Sequence, residues 1–306
     1  SRDTIYSIQC HQNSGQPVNR WETLENGALT AHTIDLSMNG GQGFSFVVTD
    51  TIVKAFDKPG GSGLQVARRQ VASAQTLVPH ANGRDMWLIV PLVYPYQIRC
   101  YRITPAGIDT NGVITPFSFR RTYADTGQDA GPRDSPMQDY TGELKASVDG
   151  KKIAFCAGSM GRIGLFDFDN ATGVLSNERE ISDSSIWRGE DTFEDRTKRF
   201  ATTPYGLEFS LDGRFVYVTN IQLRGIGVHP FTRDIILDSL RGELVQLDIT
   251  KPTAKEIKDS RTVIVPMSYS NWFGGLQLGP DGKIYVAQRE RDYISVIENP
   301  NAKGLA

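Results

Sequence analysis

The chain has 306 residues, 39% of them hydrophobic, with 33 basic and 35 acidic side chains for a net charge of −2. This is the profile of an ordinary globular chain, long enough for one large core or two modest ones. The charge balance leaves no one-signed field for nucleic acid or an anionic membrane surface, and no apolar run approaches the roughly 18 residues of a membrane span.

In chain order, DTIYSIQC suggests a strand, and QNSGQPVNRW reads as loop from its Ser, Gly, Asn and Pro. The opening residues lack the basic-then-apolar pattern of a signal peptide, which leaves secretion open. ALTAHTIDL and FSFVVTDTIVKAF are two further strands joined by SMNGGQG. No Lys-Ser/Thr follows Gly40, Gly41 and Gly43, so they make a turn rather than a phosphate loop. A Gly-rich basic connection over 57–72 leads to TLVPHANGRDMWLIVPLV, a strand, an Asn82-Gly83 turn and a strand. QIRCYRITPAGIDTNGVITPF adds two more strands, and residues 119–140 form a long polar loop.

The same unit then returns three times. GELKASVDGKKIAFCA, GLEFSLDGRFVYVTN and GLQLGPDGKIYVA each give a short strand, an Asp-Gly turn and a β-branched or aromatic strand. Asp-Gly between such runs predicts a hairpin with a primed turn, because Gly tolerates positive φ. Turn glycines Gly83, Gly150, Gly213 and Gly282 lie 67, 63 and 69 residues apart. Bare four-stranded blades take about 40–45 residues, so each unit carries about 20 residues of added connection. The additions are placed near 119–140, 183–203 and 221–241. Sustained helical periodicity is missing throughout; the best stretch, near Ile235 to Leu240, is too short. The expected fold is an all-β propeller of four-stranded antiparallel blades, about six or seven of them, in a single domain over 1–306.

The order of TGELKASVDGKKIA, LFDFDNATGVLSN, YGLEFSLDGRFVYVTN, GGLQLGPDGKIYVA and YISVIENPN resembles the propeller of large Bacteroidetes envelope and secreted proteins tied to gliding motility and type IX secretion. HANGRDMWLIV is similar to that family's second blade, and TIDLSMNGGQG to the strand and turn before it. An earlier blade and a cysteine-containing segment after the closing motif, both usual in the family, have no counterpart here. Either the chain is a divergent member or it is part of a longer polypeptide. The resemblance implies a cell-surface, outer-membrane-associated or secreted location, envelope or secreted proteins as partners, and a scaffolding role without catalysis.

Residue chemistry points the same way. The four histidines have no metal-ligand spacing, no nucleophile elbow is present, and no cofactor is expected. A Ca²⁺ site from Asp167, Asp169 and Asn170 is conceivable through hard oxygens, against the plainer reading of a hydrogen-bonded turn. Cys100 and Cys156 sit in apolar strand patterns and are expected as buried thiols. The expected binding residues are loop aromatics and arginines: Trp187, Arg188, Phe193, Trp272, Phe273 and Arg289. For Trp272 and Phe273 the competing reading is packing between blades. Two alternatives stand beside scaffolding. One is a lactonase-type hydrolase in which His80, Asp85, Arg102, Glu208 and Arg289 converge. The other is a glycan-binding propeller using loop Trp and Asp.

Overall fold

A computed structural model of the chain describes residues 4–10, 29–35, 44–53, 74–93, 96–118, 142–157, 162–182, 200–228, 235–268 and 271–304. Two compact units are present. One comprises Ser1–Tyr140 with Asp169–Val174, the other Thr141–Phe168 with Leu175–Ala306.

In the first unit, β1 (Thr4–Cys10), β2 (Leu29–Asp35) and β3 (Phe44–Val53) form an antiparallel meander. A second sheet has the order β4 (Thr76–Pro79), β5 (Met86–Val93), β6 (Tyr96–Thr104), β7 (Gly107–Ile108), with β8 (Val113–Pro116) also pairing β6. The run MWLIVPLV is apolar without alternation, as befits a strand covered on both faces. Trp87, Leu88, Ile89, Val90 and Leu92 are all buried.

The second unit holds three sheets. β9 (Leu144–Ala146), β10 (Lys152–Ala157), β11 (Arg162–Asp169) and β12 (Val174–Ser182) make the first. β13 (Phe200–Phe209), β14 (Phe215–Val228), β15 (Ile235–Asp248) and β16 (Thr262–Ser268) make the second. β17 (Phe273–Leu278), β18 (Ile284–Gln288) and β19 (Ser295–Ile297) make the third. Strand alternation on β14 divides its side chains between two cores. Val216 and Val218 join Leu207, Phe209, Val245, Leu247, Ala154, Cys156 and Leu165. Phe215 and Tyr217 join Leu244, Phe273, Leu276, Ile284 and Val286. Burying a side chain such as Phe273 is worth up to about 3 kcal/mol, so these interleaved faces hold the sheets together.

The fold is therefore an all-β propeller of antiparallel blades. Four blades, β4–β8, β9–β12, β13–β16 and β17–β19, occur among the described residues, where the sequence suggested six or seven. Part of the surplus length goes into long strands rather than further sheets. Residues 221–228 and 235–241, read from sequence as loop, extend β14 and β15 to 14 residues each, and these pair with one another. Ile235–Leu240, considered above as a helix fragment, is strand for the same reason: cross-strand pairing outweighs a short local pattern. The helix among the described residues, α1 (Ala254–Asp259), starts at a capping box between Thr253 and Glu256.

The hairpin turns occur where the repeats placed them, but they are not primed. Gly213 N–H donates to Ser210 O at 2.9 Å, with Gly213 at φ +69°. Asp212 is therefore the third residue of the turn, at negative φ, and only the glycine enters the left-handed region. The same bond closes Ser147–Gly150, Gly279–Gly282 and His80–Gly83. Asp212 Oδ1 accepts from Arg214 N–H at 3.1 Å, and Asn82 Oδ1 accepts from Arg84 N–H at 3.0 Å, fixing each turn from inside.

Candidate functional site

Three polar groupings are built on this frame. The first belongs to the first unit. β5 begins just after Asp85, which is buried, and β6 carries Arg102 up to it. Asp85 Oδ2 accepts from Asn82 Nδ2 at 2.9 Å and from Arg102 at 2.7 Å, while Oδ1 accepts from Arg84 at 3.1 Å. The Asn82 amide and the Arg102 guanidinium hold the Asp85 carboxyl at about 2. His80 Nδ1 accepts from Asn82 N–H at 3.0 Å, and its ring stacks on Trp87 at 5.5 Å. His80, Asp85 and Arg102, three of the five residues of the hydrolase alternative, are thus together, but every oxygen of Asp85 is engaged.

The second grouping runs along the inner strands of the second unit. Lys145, Glu208 and Gln277 occupy equivalent polar positions within Leu-Lys-Ala, Leu-Glu-Phe and Leu-Gln-Leu. Lys145 Nζ donates to Leu276 O at 2.9 Å and Gln277 Oε1 at 3.1 Å, and lies 3.5 Å from Glu208 Oε2. Glu208 Oε1 accepts from Phe209 N–H, and Oε2 from Leu278 N–H, both at 2.9 Å. Burial raises the Glu208 carboxyl above its usual range, against the pull of Lys145. Glu143 Oε2 accepts from Leu207 N–H at 2.9 Å and Leu276 N–H at 3.4 Å. Its Oε1 would lie 2.5 Å from a Cβ at position 275, so glycine there lets the carboxylate in. Each carboxylate caps backbone donors of a neighbouring blade. Sequence reading singled out Glu208 but missed Glu143, Lys145 and Gln277. The signal was one polar residue recurring inside each blade's first strand.

The third grouping is at the surface of the last blade. Trp272 precedes β17, and Arg289 follows β18 with its N–H donating to Trp272 O at 2.9 Å. That bond brings the Arg289 guanidinium over the indole at 3.6 Å from the ring centroid, a cation–π stack. The connection onward to β19 carries Arg291 6.0 Å from the Tyr293 ring, with Tyr293 and Ile294 exposed. Glu290 in the same connection has φ +59°, unusual for a residue with a side chain.

Of the expected binding residues, Trp272 and Arg289 are therefore paired at the surface. Phe273 is 2% exposed and belongs to the core between the last two sheets, the packing role weighed against binding. Trp187, Arg188 and Phe193 lie outside the described residues. At the conceived calcium site, Asp167 accepts from Lys152, Asn177 and Arg179. Burial pulls its carboxyl upward, but Asn177 and the two cations outweigh that and hold it below the usual range. Asp169 accepts from Ala171 N–H and Thr172 Oγ1 in a local turn. Among the described residues no group of three or more His, Cys, Asp or Glu gathers, and no helix is long and apolar enough to cross a membrane. Cys100 and Cys156 are buried free thiols; burial pushes Cys100 up to about 12.

No family profile matches the chain, and no curated protein does. Among solved structures, a protein from Lactobacillus plantarum has a TM-score of 0.47 at 14% identity, covering 89% of this chain and 64% of that one. A periplasmic gluconolactonase from Pseudomonas aeruginosa has a TM-score of 0.39 at 11% identity, covering 99% and 81%. A putative 6-phosphogluconolactonase from Bacteroides fragilis has a TM-score of 0.40 at 13% identity, covering 99% and 79%. The chain spans less than two thirds of the Lactobacillus protein's length. These likenesses are at the level of the fold, which hosts enzymes and binding proteins alike.

Proposed function

We propose that this chain is a non-catalytic β-propeller that binds another protein through Trp272, Arg289 and the β18–β19 connection. The observation that carries the reading is how charge is used. The buried carboxylates among the described residues, Asp85, Glu208 and Glu243, all accept hydrogen bonds from cations, side-chain amides or backbone N–H groups. Carboxylates committed in this way are poor general acids or bases, because their proton affinity is set by partners that chemistry would have to displace. At the last blade, by contrast, an arginine–tryptophan stack stands at the start of the β18–β19 connection, which exposes Tyr293 and Ile294. Trp, Tyr and Arg are the residues enriched at binding hot spots. The resemblance of the hairpin and closing motifs to gliding-motility and type IX secretion propellers supports an envelope or secreted protein as the partner, met at the cell surface.

The test is capture from envelope and secreted fractions with immobilised wild-type protein and with a Trp272→Ala/Arg289→Ala variant of equal stability. A protein recovered in stoichiometric amount by the wild type and lost by the variant supports the reading. Equal recovery by both refutes the assigned surface. Turnover of a gluconolactone-type substrate by the purified chain refutes the non-catalytic reading outright.

A further inference from the structure

The segment that follows β19 is held in an unusual way. Tyr217 and Gln246 face each other across β14 and β15, and both are fully buried. Besides bonding to each other, their polar ends reach past both strands to the segment after β19. Gln246 Nε2 donates to Tyr217 Oη at 2.6 Å and to Ala302 O at 2.7 Å. Its Oε1 accepts from Gly304 N–H at 2.9 Å. Tyr217 Oη in turn donates to Pro300 O at 3.1 Å. The neighbouring hairpin turn adds two more contacts: Arg214 donates to Asn301 O at 2.6 Å, and Asp212 N–H donates to Asn301 Oδ1 at 3.1 Å. The segment is itself turned, with Ala302 N–H donating to Asn299 O at 3.1 Å.

Four of these partners are main-chain groups of Pro300, Asn301, Ala302 and Gly304; only Asn301 is read through its side chain. A carboxamide that donates to one peptide group and accepts from another reads backbone, as strand-addition and peptide-capture sites do. Apart from the bond between them, the donors and acceptors of both buried side chains are met by the peptide, and an empty notch would strand the Gln246 Oε1 acceptor and the Tyr217 hydroxyl proton. We infer that Tyr217, Gln246 and the Asp212–Arg214 turn form a backbone-reading peptide site, with Asn299–Gly304 as its resident occupant, and that an Asn-Pro-Asn turn segment presented in trans takes the same place. The resident segment is tethered, so its effective concentration is on the order of millimolar. A competitor therefore enters only when the tether's own contacts are weakened.

The test uses the full chain with two substitutions and a fluorescent, end-capped Glu-Asn-Pro-Asn-Ala-Lys-Gly peptide. Lys303 is exposed, and trypsin cutting after it reports release of the segment. Asn301→Ala removes the one side-chain contact and leaves the site intact; cutting at Lys303 accelerates about fivefold to tenfold. The same variant binds the added peptide at least fivefold more tightly than the wild type, and adding Gln246→Met abolishes that binding. Unchanged cutting in Asn301→Ala overturns the strap. Faster cutting with no peptide bound at about 1 mM, the tether's own scale, overturns the site. Because Asn301→Ala touches only the segment, the test stands even where Gln246→Met fails to fold.

Discussion

Replacing Glu208 tests whether the inner-strand network is structural. Glu208→Ala strands the amides of Phe209 and Leu278, each at about 1–3 kcal/mol for an unmet buried donor. It also leaves Lys145, with 18% of its side chain exposed, without its carboxylate. Removing one member of a buried pair costs about 3–5 kcal/mol in all. Taking out both charges in Lys145→Met/Glu208→Leu is milder, by about 1–2 kcal/mol, because no unpaired charge remains. Urea unfolding followed by tryptophan fluorescence and by circular dichroism reads both numbers. The pH dependence supplies a second check. Glu208 has its folded carboxyl raised, so its contribution is full at acid pH and is lost as the pH climbs out of the ordinary carboxylate range. The stability deficit of Glu208→Gln therefore shrinks as pH rises. Single substitutions costing under about 1 kcal/mol would mean a solvent-screened network, and the structural assignment of Glu208 would fail.

Other consequences follow from the same contacts. Asp85 has its carboxyl lowered from 3.8 to about 2, so its stabilisation is present above pH 3.8 and lost as pH falls through about 2; Asp85→Asn abolishes that part of the acid-unfolding slope. Gly242→Ala places a Cβ 2.0 Å from Asn271 O, whereas the Gly213 Cβ direction is open within 4 Å. Thermal melts therefore show Gly213→Ala losing about 1 kcal/mol of backbone preference and Gly242→Ala losing about 3 kcal/mol or more through overpacking. Cys100 and Cys156 stay unreactive toward a thiol reagent in the native protein and react on unfolding, because burial holds both thiols protonated.

Much of the fold was legible because turn chemistry repeats. Asn82-Gly83, Asp149-Gly150, Asp212-Gly213 and Asp281-Gly282 each mark a hairpin, and the strand alternation of Phe215 to Val218 divides side chains between two cores as the pattern implies. What stayed hidden depends on contacts far apart in sequence. Residues 221–228 look like loop alone, yet they pair with 235–242 and continue β14. The turn type was misread because Asp-Gly fits both a primed turn and one ending in a left-handed glycine. The choice is made by the Ser210–Gly213 bond, which composition does not reveal. At the candidate site, Trp272 and Arg289 were legible as residue types near loops. Their stacking was not, since 17 positions separate them and the hairpin register brings them together.

The most direct measurement is the affinity of the captured partner for the wild-type chain and for Trp272→Ala and Arg289→Ala, each shown to melt with the wild type. Hot-spot truncation costs about 2 kcal/mol or more, so each substitution is predicted to weaken binding at least tenfold. Affinity unchanged in both variants would contradict the assignment of this surface and move the search for the partner's site elsewhere on the propeller.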